Sequence, residues 1–143
     1  MTQDAPLETA QPAPQRTASQ AVIALVDDDR NILTSVSIAL QAEGFATRVY
    51  SEGEAALKAL LENPPHLAVF DIKMPGMDGR AFLVALEEAA PRLVPRVAFL
   101  TGDSMGQDVD TFLTASGRPY AEKPLPPVEI LALVDNLLEE AGR

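Results

Sequence analysis

Cysteine is absent, which excludes a disulfide framework and any thiolate metal site. Histidine occurs once, at His66 between Pro65 and an apolar run, and reads as a solvated loop residue rather than a ligand. Basic residues are few: 11 Lys and Arg stand against 21 Asp and Glu, a net charge of −10. Such a surface repels phosphate backbones, so no nucleic-acid partner is expected. Long apolar runs are missing too. The run from Ala21 to Val26 is far short of the roughly 20 residues a membrane-spanning helix needs. Residues 1–20 have neither a basic start nor an apolar stretch, so they are no secretory signal. No membrane insertion and a cytoplasmic location are expected. No GxxxxGK[ST] is present, which excludes a P-loop nucleotide hydrolase.

What is there fits one domain with a substantial core in 143 residues. Residues 1–20 are built from Ala, Gln, Thr and Pro and cannot bury enough apolar surface to offset their ordering entropy. They are expected to be a disordered tail, with the folded domain at 21–143.

Leu67 to Phe70 is a continuously apolar run that ends in Asp71, and Pro75, Gly76 and Gly79 follow. The run predicts a strand buried on both faces; the breakers force a turn just beyond it. Asp71 is thereby presented at the carboxyl end of a buried strand, where open parallel sheets place their ligands.

The same alternation recurs along the chain. Ala21 to Val26 predicts a first strand, ending at Asp27, Asp28 and Asp29. Asp29 or its neighbour can cap a helix carrying Ile32, Leu33, Val36 and Leu40, and Gly44 suits its left-handed C-cap. Phe45 to Tyr50 predicts a second strand, and Ser51 to Glu54 has the pattern of a capping box opening the next helix. After the Leu67 strand comes a helix from about Gly79 to Ala90, stopped by Pro91. Arg96 to Leu100 predicts a fourth strand, followed by a weaker helical segment over 108–115. A short strand near Pro119 to Ala121 leads to Lys123, and Ile130, Leu133, Val134, Leu137 and Leu138 mark an amphipathic last helix.

Five β-α units imply a parallel sheet covered on both faces. Right-handed crossovers bring every carboxyl end to one side. That side collects Asp27, Asp28, Asp71, Thr101 and Lys123. Two unit charges about 4 Å apart cost about 4 kcal/mol at an effective dielectric near 20, so three carboxylates there require a cation or protons. Oxygen ligands without His or Cys favour a hard ion, magnesium above all. With an ammonium and a hydroxyl beside it, the set suits transfer of a phosphoryl group onto a carboxylate.

Val26-Asp27-Asp28-Asp29, Phe70-Asp71-Ile72-Lys73-Met74-Pro75-Gly76-Met77-Asp78-Gly79, Leu100-Thr101 and Tyr120-Ala121-Glu122-Lys123-Pro124 together resemble the receiver domain of two-component response regulators. The intervals of 43 from Asp28 to Asp71, 30 on to Thr101 and 22 on to Lys123 match that family's spacing. The resemblance covers about residues 21–141. It implies a flavodoxin-like α/β fold, a doubly wound five-stranded parallel sheet of order 2-1-3-4-5 with helices on both faces. It implies that Asp71 is the phosphoacceptor, and that Asp27, Asp28, Asp71 and the Lys73 carbonyl hold Mg2+. Lys123 would pair with the phosphoryl group ahead of a cis bond to Pro124. Thr101 and Tyr120 would be the switch pair.

The sequence departs at Gly102, where the family commonly has Ala. The segments 101–103 and 117–119 resemble receivers of hybrid histidine kinases, and the first half resembles receivers of winged-helix regulators.

The expected function is that of a single-domain response regulator without an output domain. It would take its phosphoryl group from a sensor histidine kinase or histidine phosphotransfer protein and act on a downstream protein target. It would be no conventional enzyme, catalysing only its own phosphorylation and dephosphorylation. Alternatives are a phosphorelay intermediate and a pseudo-receiver that is never phosphorylated. A haloacid-dehalogenase-like phosphatase needs a second Asp two positions after Asp71, where this chain has Lys73.

Overall fold

A computed structural model describes residues 21–102, 107–123 and 126–141. The expected tail, the 103–106 segment and Pro124 lie outside the described residues.

The elements alternate throughout: β1 Val22–Val26, α1 Arg30–Ala42, β2 Ala46–Tyr50, α2 Gly53–Glu62, β3 Leu67–Asp71 and α3 Gly79–Ala89. A 3-10 segment, Pro91–Arg96, precedes β4 Val97–Thr101, α4 Gln107–Ser116, β5 Tyr120–Glu122 and α5 Pro127–Ala141. The sheet order is β2-β1-β3-β4-β5 and every pairing is parallel, the doubly wound order expected.

Successive strand residues point to opposite faces, and the core divides accordingly. Ala24, Val26, Ala68, Phe70 and Phe99 pack with Leu60, Phe82, Leu86 and Leu113, so α2, α3 and α4 cover one face. Ile23, Leu25, Val69 and Leu100 pack with Leu40, Val36, Val134 and Leu137, so α1 and α5 cover the other. Strands β3 and β4 are buried over their whole length, which is why they read as unbroken apolar runs.

Local signals account for several boundaries. Asp29 Oδ1 accepts from Asn31 N at 2.9 Å and Ile32 N at 3.4 Å, the N-cap expected. Gly44 follows α1 at φ 95°, a region closed to most side chains, and donates to Gln41 O.

The capping box does not form: α2 begins at Gly53, and its N-cap, Glu52, makes no side-chain cap bond. Tertiary packing decides that helix start, because a Cβ at Gly53 would run into the Met77 carbonyl oxygen. His66 is also more than a solvated loop residue. It is exposed, yet its Nδ1 accepts the backbone N–H of Val22 at 2.9 Å and so fixes the start of β1.

Candidate phosphoacceptor site

Four strand ends and their loops build the site at the carboxyl edge of the sheet. Asp27 follows β1 and is held there by its N–H to Tyr50 O at 3.1 Å. Its carboxylate is 1 % exposed. Oδ1 accepts from Asp29 N at 2.9 Å, so the neighbour that caps α1 also orients this side chain. Oδ2 has no hydrogen-bond partner of good geometry, although Lys123 Nζ stands 2.8 Å away as an ion pair.

Asp71 closes β3, paired with Leu100 of β4, and is 3 % exposed. Its Oδ1 accepts from Lys73 N at 3.3 Å and its Oδ2 from Lys123 Nζ at 3.1 Å. Asp28 is exposed at the rim. Thr101 closes β4 and is buried; its carbonyl accepts from Lys123 N at 2.8 Å, which brings the lysine over the carboxylates.

Burial, and then the charge of Asp27, push the Asp71 carboxyl up to about 6, against the lowering effect of Lys123 and the Lys73 N–H. Burial alone lowers the Lys123 ammonium's pKa, but the paired carboxylates of Asp27 and Asp71 more than reverse this and raise it above the ordinary lysine value.

One oxygen from each of Asp27, Asp28 and Asp71 lies within 4.8 Å of the others. That set fits a hard cation: it is all oxygen, and Asp27 Oδ2 is buried without a directed donor. A carboxylate oxygen backed by a single ammonium has coordination capacity to spare.

The structure thus brings Asp27, Asp28, Asp71 and Lys123 together, with Thr101 joined to them through Lys123. Lys73 touches Asp71 through its N–H, while its side chain is exposed. Tyr120 lies apart. It pairs with Phe99, two rungs below Thr101, and is 45 % exposed, so it is not a core residue. Asp78, at the end of the loop that follows Asp71, has a structural role the motif alone does not reveal: its Oδ1 accepts from Ala81 N at 2.9 Å and caps α3. An Asp directly before Gly79 and an apolar-periodic helix was a legible signal for that cap.

The family model for the response regulator receiver domain matches residues 23–135. The chain belongs to that family, whose members typically work by phosphorylation, magnesium binding and signal transduction in two-component systems.

The transcriptional regulatory protein RprY of Bacteroides fragilis is 33 % identical over 116 residues, covering 81 % of this chain and 48 % of RprY. The DNA-binding response regulator MtrA of Mycolicibacterium smegmatis is 36 % identical over 112 residues, covering 78 % of this chain and 48 % of MtrA. The chain spans about half the length of the curated relatives it matches. Among solved structures, a CheY-like receiver domain protein of Methanospirillum hungatei superposes with a TM-score of 0.75 at 30 % identity, over 86 % of this chain and 97 % of that one. No helix among the described residues is long and apolar enough to cross a membrane.

Proposed function

We propose that Asp71 accepts a phosphoryl group from the phosphohistidine of a sensor kinase or histidine phosphotransfer protein, and that the chain acts through the resulting change of its surface. The observation that carries this reading is the buried Asp71 carboxylate with Lys123 Nζ at 3.1 Å and two further acidic oxygens within 4.8 Å.

Asp27, Asp28 and Asp71, with the Lys73 carbonyl, are the residues to hold Mg2+. The ion, when bound, screens the attacking carboxylate from the phosphoryl oxygens. Asp71 supplies the nucleophile: an oxygen lone pair forms the new O–P bond as the P–N bond to the donor imidazole breaks, its electron pair leaving with the ring. Lys123 balances charge that now sits on Asp27 and Asp71 and will sit on the phosphoryl oxygens. Thr101 offers a hydroxyl to those same oxygens, and Tyr120, exposed two rungs away, responds with it. The open cleft beside Asp28, lined by Arg30, Glu52, Pro75 and Met77, gives the donor its approach.

This is self-modification rather than turnover of a substrate. The reading is of a single-domain response regulator with a downstream protein target, or of a relay intermediate that passes the group on to a second histidine. DNA binding is a stated property of the relative MtrA. For this segment an acidic surface with a net charge of −10 speaks against it.

The test is intact-mass spectrometry after incubation with Mg2+ and acetyl phosphate. One added phosphoryl group is expected, absent in Asp71→Asn, stable in mild acid and released by hydroxylamine. Label surviving in Asp71→Asn would move the site; no label with any donor would leave a pseudo-receiver.

A further inference from the structure

The helix pair α3 and α4 carries a contact that the phosphoacceptor chemistry does not use. We propose that Arg80 is a latch that ties the first turn of α4 to the start of α3, where the loop that leaves Asp71 ends.

The loop end of this connection has no slack. The β3–α3 loop finishes where Gly79 N donates to Ile72 O at 2.8 Å. A Cβ at Gly79 would stand 2.9 Å from Ile72 Cα and 3.1 Å from the Phe99 ring, so α3 starts pressed onto β3 and β4. Arg80 thus sits directly after the point where the loop from Asp71 is fastened to the sheet.

The other end is less firmly held. The backbone of α4 comes close to no other element over more than isolated pairs among the described residues. Its hold on the sheet rests on the buried Val109 and Leu113 and on Phe112, whose ring meets Phe99 edge-on at 5.3 Å. Arg80 covers the Phe112 ring with its guanidinium carbon 5.4 Å from the centroid, and its Nη2 donates to Asp108 O at 3.2 Å. Phe112 is thus flanked by Phe99, on the strand that ends in Thr101, and by Arg80, on the helix that follows the Asp71 loop. One planar, permanently charged group makes both contacts, which a lysine ammonium reproduces only in part. Arg80 is itself exposed, so its removal leaves the core intact.

The experiment is hydrogen exchange on the unphosphorylated full chain, so its outcome does not depend on whether Asp71 accepts phosphate. Arg80→Ala is expected to speed exchange of α4 amides about fivefold, while β1, β3 and α1 keep their rates and the thermal midpoint barely moves. Arg80→Lys, which keeps the charge and loses the plane, should recover only part of the protection. Phe112→Leu should speed α4 exchange by a smaller factor in the Arg80→Ala background than in the unaltered protein, since the two changes share the contact between guanidinium and ring. Unchanged α4 exchange in Arg80→Ala would overturn the latch, as would a rise spread evenly over the fold.

Discussion

Lys123 Nζ stands closer to Asp27 than to Asp71, at 2.8 Å from Oδ2 of the first against 3.1 Å for the second. The lysine therefore bridges two carboxylates from the ends of different strands. Removing it leaves two buried carboxyl groups facing each other with no counter-charge. Lys123→Ala should destabilise the metal-free protein by about 3 kcal/mol, the scale of breaking a buried ion pair. Magnesium binding should persist, and magnesium should recover most of the lost thermal midpoint. The variant should still be labelled at Asp71, but with a smaller phosphorylation-dependent NMR shift at Tyr120. A full shift at Tyr120 would remove Lys123 from the role of reader.

A second charged pair works at the opposite edge of the sheet. Arg118 Nη1 donates to Glu140 Oε2 at 2.6 Å, its Nε to Val97 O at 2.8 Å and its Nη2 to Pro95 O at 2.9 Å. The side chain is 7 % exposed, so the 3-10 segment, β4, β5 and α5 are fastened by one buried fork. Arg118→Ala strands two carbonyls and should cost about 3 kcal/mol, a fall of roughly 10 °C in thermal midpoint. Arg118→Lys should recover little of this. Glu140 is half exposed, and Glu140→Gln should cost under about 1 kcal/mol. Labelling at Asp71 should be unaffected in all three, which separates this fastening from the site.

These two clusters show what a sequence makes legible. Asp71 could be read because a buried parallel strand announces itself as an apolar run, and the residue after such a run faces the functional edge. The Asp29 cap and the Gly44 turn are local and were visible for the same reason. Arg118 was not, because its partners lie on segments up to 23 residues away and its burial exists only once β4, β5 and α5 meet. Arg80 is the same kind of case, since a helix surface position says nothing about the helix it will touch. The capping box at Ser51 failed in the other direction. Its local pattern was sound, but the close seating of Gly53 on Met77 sets where α2 begins.

Gly53 itself yields a prediction. The Met77 carbonyl cannot retreat freely, because the buried Met74 and the Gly79 N–H to Ile72 O pin the loop on either side. Gly53→Ala should therefore cost about 2 kcal/mol, as over-packed sites do. The loop is also expected to shift enough to weaken magnesium binding severalfold. NMR titration of the Asp71 to Lys73 amides with magnesium reads this directly. Unchanged affinity would mean that the uncapped first turn of α2 yields instead.

The sharpest prediction concerns pH, because Asp71 is pushed up to about 6 from 3.8 by burial and by Asp27. A folded-state value above the unfolded one means the fold favours the protonated acid. Its stabilising contribution is complete below about 3.8 and is lost as pH rises through about 6. In metal-free protein Asp71 should thus lower the thermal midpoint between pH 4 and 7, while magnesium should raise it more at pH 7.5 than at pH 5. Magnesium must displace the Asp71 proton below pH 6, so its Kd should climb as pH falls there and level off above. Calorimetry in buffers of different ionisation enthalpy should find a proton released at pH 5.5 and almost none at pH 7.5. The comparison that isolates Asp71 is Asp71→Asn. That variant should bind magnesium more weakly, with a Kd nearly flat between pH 5.5 and 7.5. A wild-type Kd equally flat over that range would mean that Asp71 is already ionised at pH 5.5, with Lys123 outweighing burial.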